Sequence, residues 1–165
     1  MKTAIIFGSS CSQGNTSGLA HEVKKLLAAD FYDLARYKIE PFDYHNKYQD
    51  DFLPLINQLL CYKKLIFASP VYWYAASAQM KVFMDRLTDL LNFHQRQGRR
   101  LRGKGVGLLA TGIETRAPDS FEQMFKLTFE YLGMDYKGMG YCCTPDTFEI
   151  TDHVTNVKNF ANCMT

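Results

Sequence analysis

Three times along this chain a short apolar run stops abruptly at a loop and gives way to apolar residues at helical spacing. Residues 3–7 (TAIIF) meet Gly8-Ser9-Ser10, and 15–29 (NTSGLAHEVKKLLAA) come next with a helical period. Residues 64–68 (KLIFA) lead through 69–76 to a helical stretch over 77–93, with Met80, Phe83, Met84, Leu87, Leu90 and Leu91 along one face. Residues 105–111 (GVGLLAT), a loop at 112–118 and a helix near 119–132 make the third copy. Strand after strand followed by a helix favours parallel pairing through right-handed crossovers, and so an α/β fold.

Two weaker passages extend the set. Residues 31–40 (FYDLARYKIE) contain a second strand, and 51–62 (DFLPLINQLLCY) form a helix interrupted early by Pro54. Residues 134–142 (MDYKGMGYC) read as a last strand. The sum is five strands alternating with four or five helices, with no repeat, linker or low-complexity tract. One doubly wound domain over residues 1–165 fits this order. Such sheets bind ligands beyond the carboxyl ends of their strands, where the strand order reverses. The loops after the first, third and fourth strands are therefore where chemistry is expected.

Composition narrows the classes. A chain of 165 residues with 47% apolar and 22% charged residues has the balance of a globular domain and needs no staples. The net charge of +2 argues against a dedicated nucleic-acid binder, which needs a strongly basic face, and differs from the acidic balance of a pure electron shuttle. The five cysteines, Cys11, Cys61, Cys142, Cys143 and Cys163, show no C-x-x-C or Cys/His ligand spacing. Free thiols are the simplest reading, since neighbours such as Cys142 and Cys143 point to opposite faces of a strand. After Met1-Lys2 the run Ala4-Ile5-Ile6-Phe7 is too short for a signal segment or a membrane span, so the expected setting is the cytoplasm.

The first loop, Gly8-Ser9-Ser10-Cys11-Ser12-Gln13-Gly14-Asn15-Thr16-Ser17, is built to suit an anion. Main-chain N–H groups at a helix start carry partial positive charge, hydroxyls add donors, and glycine lets the backbone come close. The alternative is an ordinary polar loop in which Ser12 or Asn15 caps the helix. Its spacing matches neither G-x-G-x-x-G nor G-x-x-x-x-G-K-[ST], which speaks against a dinucleotide fold or P-loop.

The third-strand loop, Ser69-Pro70-Val71-Tyr72-Trp73-Tyr74, sets three large aromatics in a row at a strand end, where burying all three is awkward. Rings flanking a cleft suit a flat conjugated ligand, although they would also suit a core lid or a subunit contact. In the next helix, Lys81 and Asp85 stand at i,i+4 spacing and form a surface pair. The fourth-strand loop, Thr111-Gly112-Ile113-Glu114-Thr115, adds a hydroxyl and main-chain donors at the same end of the sheet.

The combination of G-S-S-C-S-Q-G-N-T after strand one and S-P-V-Y-W-Y-x-x-S-A-Q-M-K-x-F-x-D-R after strand three resembles the NAD(P)H-dependent FMN reductase and multimeric-flavodoxin family. The element order matches over nearly the whole chain, whereas the specific motifs occupy residues 8–17 and 69–87. The resemblance implies a flavodoxin-like sheet of order 2-1-3-4-5. It implies FMN with its phosphate on Ser9, Gly14, Asn15 and Thr16, and its ring wrapped by Pro70, Val71, Tyr72 and Trp73. Thr111 and Gly112 would line the other side. Many relatives have arginine where Cys11 stands, beside the phosphate, so here that cation is missing. No compact cysteine motif for an iron–sulfur cluster is present.

By the same resemblance the chain is an enzyme in which NADH or NADPH reduces FMN and a small acceptor, such as a quinone or free flavin, takes the electrons. No side chain need act as acid or base. A homodimer or homotetramer is expected, with neither nucleic acid nor membrane as partner. A flavodoxin-type carrier with a protein partner is the rival, marked by an acidic docking face and a shorter phosphate loop. A low-molecular-weight tyrosine phosphatase would need C-x5-R, and the sixth residue after Cys11 is Ser17. The basic run His94–Lys104 reads as a solvated connection, or as an attraction for the phosphates of NADPH.

Overall fold

The computed structural model describes residues 2–165. In chain order the elements are β1 (Thr3–Phe7), α1 (Asn15–Leu27), β2 (Asp30–Asp33), a 3-10 turn at Leu34–Arg36, and α2 (Phe52–Leu59). Then come β3 (Lys64–Pro70), α3 (Ala78–Arg86), α4 (Asp89–Asn92), α5 (Gln95–Arg99) and β4 (Gly105–Gly112). The chain closes with α6 (Asp119–Tyr131), β5 (Asp135–Cys143) and α7 (Ile150–Cys163). All neighbouring strands pair in parallel, in the order β2-β1-β3-β4-β5, so the order reverses between β1 and β3.

Alternation along the strands divides the interior into two layers. Ala4 and Ile6, Leu65 and Phe67, and Val106, Leu108 and Ala110 face one side, with Leu55, Met80, Phe83, Phe121, Phe125 and Phe129 of the overlying helices. Ile5, Phe7, Ile66, Ala68 and Leu109 face the other, against Leu19 and Val23 of α1 and Val157 and Phe160 of α7. Both faces are covered, as an all-parallel sheet requires.

The last helix is absent from the sequence expectation, although Ile150, Val154, Val157, Ala161 and Met164 repeat at helical spacing. Its seat is prepared by glycine. A Cβ on Gly107 would stand 2.7 Å from Phe160 Cζ and Met164 Sδ, and one on Gly140 would stand 2.9 Å from Phe160 Cγ.

Three other expectations change. The second strand is only Asp30–Asp33, because the Asp33 side chain accepts the Ala35 N–H at 3.0 Å and turns the chain into the 3-10 segment. The stretch 77–93 breaks after Arg86. Around Leu87–Leu91 the N–H groups of Leu87, Thr88, Leu90 and Leu91 bond three residues back, tightening the helix where Arg86 Nε meets Asp89 Oδ2 at 2.8 Å. The basic run 94–104 keeps Arg96, Arg99, Arg100 and Arg102 in solvent, as a solvated connection would, but it contains α5, and Lys104 is buried with its ammonium donating to the carbonyls of Leu60 and Tyr62. Because it enters β4 at the amino end, it lies at the opposite end of the sheet from the loops that follow β1, β3 and β4.

The expected Lys81–Asp85 pair is formed, at 2.5 Å and half exposed. The five cysteines are free thiols, with Cys142 buried and Cys143 half-buried on β5. No helix among the described residues is long and apolar enough to cross a membrane.

Candidate functional site

Hydrogen bonds bring the three strand ends together. Gly8 N donates to Ala68 O at 2.9 Å, and Val71 N donates to Thr111 O at 2.9 Å. Ser77, which caps α3 by accepting the Met80 N–H, donates its hydroxyl to Gly8 O at 2.7 Å, while its own N–H bonds Ser69 Oγ. Gly8 has no room for a side chain: a Cβ there would stand 2.9 Å from Met80 N. The first loop is thus pressed against the start of α3, beside the point where strand order reverses.

Between these loops lies a cleft of about 430 Å³. The first loop contributes Ser9, Cys11, Gly14, Asn15 and Thr16; the third contributes Pro70, Val71 and Tyr72; the fourth contributes Thr111, Gly112 and Ile113. Thr144, just beyond β5, completes the wall. Of the residues expected from sequence, only Trp73 lies outside this cleft. It lines an adjoining one of about 270 Å³ with Tyr74, Glu114, Pro118 and Tyr141, and the two share Val71, Gly112 and Ile113.

The amino end of α1 forms the polar floor. Gly14 is the residue before the helix, and no side chain caps it, so neither Ser12 nor Asn15 plays that part. The first-turn N–H groups have no carbonyl inside the helix to bond, and the turn carries no acidic side chain. Thr16 and Thr111 are buried with their hydroxyls 2.6 Å apart. Ser9 Oγ accepts the Cys11 N–H at 3.2 Å, which folds the loop on itself. Asn15 lines the cleft, but its amide is bonded to the 144–148 segment.

The aromatic wall is held under strain. Tyr72 and Ala75 exchange both main-chain hydrogen bonds, and between them Trp73 (φ 47°) and Tyr74 (φ 64°) are both left-handed. Turns of this kind normally take glycine or asparagine, and a non-glycine residue there costs on the order of 1–2 kcal/mol. The Trp73 side chain is left 93% exposed by this turn. The Tyr72 hydroxyl reaches across to Ser10 Oγ at 3.1 Å, linking the third loop to the first.

No Lys, Arg, Asp or Glu lines the larger cleft. In the smaller one, burial pushes the Tyr141 phenol above its ordinary value, and its O–H donates to Glu114 O at 2.7 Å. Below the site, burial pushes the Cys142 thiol up to about 11, which leaves it protonated and unreactive. Among the described residues no group of three His, Cys, Asp or Glu is placed to hold a metal ion. The sequence reading missed Ile113, Tyr141 and Thr144 as cleft residues. Ile113 stood inside a loop already singled out, whereas nothing local marks Tyr141 or Thr144.

Comparison with known proteins accords with this geometry. The family model described as NADPH-dependent FMN reductase matches residues 1–145. A Bacillus subtilis (strain 168) protein named NAD(P)H-dependent FMN-containing oxidoreductase YwqN is 30% identical over 153 residues, covering 84% of this chain and 82% of that one. The solved structure of the Trp repressor binding protein from Bacillus subtilis superposes with a TM-score of 0.78 at 23% identity, over 99% of this chain and 97% of that one. RosB, solved with 8-demethyl-8-formylriboflavin-5'-phosphate, has a TM-score of 0.68 at 18% identity, over 98% of this chain and 73% of that one.

Proposed function

This chain belongs to the NADPH-dependent FMN reductase family, and from that premise we propose that its cleft seats FMN, phosphate inward, between the three loops. It is an NAD(P)H-dependent FMN oxidoreductase, with FMN and NAD(P)H as its cofactors. The acceptor in this proposal is a small molecule such as a quinone or free flavin, and the working unit is one domain over residues 1–165 in a cytoplasmic homodimer or homotetramer.

The observation that carries the reading is the uncapped amino end of α1 opening into a cleft lined by hydroxyls and by no charged side chain. A phosphate there meets main-chain donors of the first turn near Gly14, Asn15 and Thr16, with the hydroxyls of Ser9 and of one member of the Thr16–Thr111 pair as further donors. Pro70, Val71 and Tyr72 would bear on one side of the ring system, and Thr111 and Gly112 on the other. Gly112 keeps that junction open, since a Cβ on it would stand 2.7 Å from the Tyr141 hydroxyl. FMN when bound supplies the electron transfer between nicotinamide and acceptor. The chain's own part is to bind, orient and partly screen it. Trp73, Tyr74 and Ile113, all exposed at the rim, offer the apolar surface over which a second substrate or a second copy would close.

The test is reconstitution. Protein refilled with FMN should show flavin absorption bands and oxidise NADH or NADPH in the presence of a soluble quinone. Folded protein that binds no FMN at tens of micromolar would overturn the reading.

A further inference from the structure

We infer that Asn15 acts on the cofactor site indirectly, as a clasp on residues 144–149, the segment whose first residue, Thr144, lines the cleft. The inference rests on the reading that this cleft takes FMN. Asn15 Nδ2 donates to Asp146 O at 2.6 Å and, at a long 3.4 Å, to Thr144 O, while Oδ1 accepts the Phe148 N–H at 3.0 Å. A side-chain amide has two N–H donors, and both are spent on carbonyl oxygens. What remains is a lone pair on Oδ1, which cannot attract a phosphate. Turning the amide over would set its oxygen against two carbonyls and its NH2 against an N–H, so the orientation is determined by the partners.

The segment needs such a clasp. Thr144 N is tied to Gly112 O at 2.7 Å, and α7 begins at Ile150, but no helix or strand covers the residues between. Among the described residues, the main-chain hydrogen bonds of 145–148 are those made with the Asn15 side chain. The far side is anchored by packing. The Phe148 ring lies over α1 at Gly18, where a Cβ would stand 2.9 Å from its Cδ1, and stacks on His153 of α7 with centroids 5.4 Å apart and planes within 9°. Asn15, Gly18 and Phe148 therefore form one unit, of which only Asn15 borders the cleft. The clasp keeps Thr144 buried against that cleft.

The experiment compares Asn15→Ala, Phe148→Ala and Gly18→Ala with the unaltered chain. It measures FMN and riboflavin affinities and amide hydrogen exchange over residues 144–149, at a temperature well below each melting transition. Asn15→Ala and Phe148→Ala are expected to speed exchange in this segment and to weaken FMN by about tenfold each, with riboflavin less affected. The double variant should be no weaker than the weaker single one, because both changes open the same clasp. Gly18→Ala should act in the same direction by lifting the ring. A general loss of stability would not separate FMN from riboflavin. If Asn15→Ala weakens FMN while the Phe148 and Gly18 variants bind normally, or if exchange over 145–149 is unchanged in Asn15→Ala, the inference is wrong. Should Phe148→Ala fail to fold, Phe148→Leu serves the same comparison. The exchange arm requires no cofactor, so failure of FMN to bind the unaltered chain is recognised separately.

Discussion

The buried hydroxyls of Thr16 and Thr111 share one hydrogen bond of 2.6 Å between the first turn of α1 and the end of β4. One must donate and the other accept, so only one of the two protons can point into the cleft. If the proposed phosphate seat is right, Thr16→Ala should therefore remove a donor from a charged acceptor and also break the strut between the first and fourth loops. Losing a hydrogen bond to a charged group costs about 1.5–3 kcal/mol, or roughly ten- to hundredfold in FMN affinity. Riboflavin affinity should barely change. Thr111→Val should give a similar loss, and the double variant less than the sum. Titrations finding equal losses for both ligands would move the phosphate elsewhere.

Cys11 is exposed and lines the cleft, in which no cation is present. FMN should slow its alkylation, whereas riboflavin should do so less. Buried Cys142 should stay unlabelled in the folded protein with or without ligand. Cys11→Arg should tighten FMN severalfold by adding a permanent charge near the phosphate, and the gain should shrink with added salt. A gain of equal size for riboflavin would show that charge is not its source.

Trp73 is the single tryptophan of the chain, so its fluorescence should fall on FMN binding and report it directly. Its left-handed backbone gives Trp73→Asn two expected effects of opposite sign. Relief of strain should raise the melting temperature by a few degrees, about 1 kcal/mol for a domain of this size. Loss of the ring should raise KM for the acceptor. A melting point that falls would mean that the indole holds the turn through packing instead.

Away from the cleft, Arg86 is buried between Asp50 and Asp89, donates to Glu40 O at 2.9 Å, and lies 3.4 Å from the centroid of Tyr48. This network fastens the irregular 37–51 passage to α3. Asp50→Asn should destabilise the fold by about 3–5 kcal/mol, since it removes one partner from a buried pair. Burial alone would raise the Asp50 carboxyl, but Arg86 and the N–H groups of Glu40 and Phe52 outweigh it and hold it below its ordinary value. Its contribution is complete above about pH 4 and is lost as pH falls through the lowered folded-state value. Urea unfolding at pH 7 and pH 3 should show a smaller pH dependence in Asp50→Asn than in the unaltered chain.

Much of this architecture was legible along the chain. The runs 3–7, 64–68 and 105–111 became the three central strands, because a strand covered on both faces must be apolar throughout and then stop where it meets solvent. Gly8, Gly14 and the hydroxyls of the first loop could be read as suited to an anion, because their chemistry acts within a few residues of backbone. Pro70, Val71, Thr111 and Gly112 could be nominated together because parallel strands bring the loops at their carboxyl ends to one edge.

The remainder depended on contacts between residues far apart in the chain. Nothing local in D-R said that Arg86 would turn inward to Asp50, 36 positions earlier, while its neighbour Asp85 stayed on the surface with Lys81. Nor could the letters of the first loop say whether the Asn15 amide would face a ligand or the main chain at Asp146, 131 positions later. Local rules act over one or two turns of chain, and there a strand's polarity or a glycine's freedom decides the outcome. The assignment of a hydrogen-bonding side chain is settled only when two distant segments compete for it, and that competition exists only in the folded molecule.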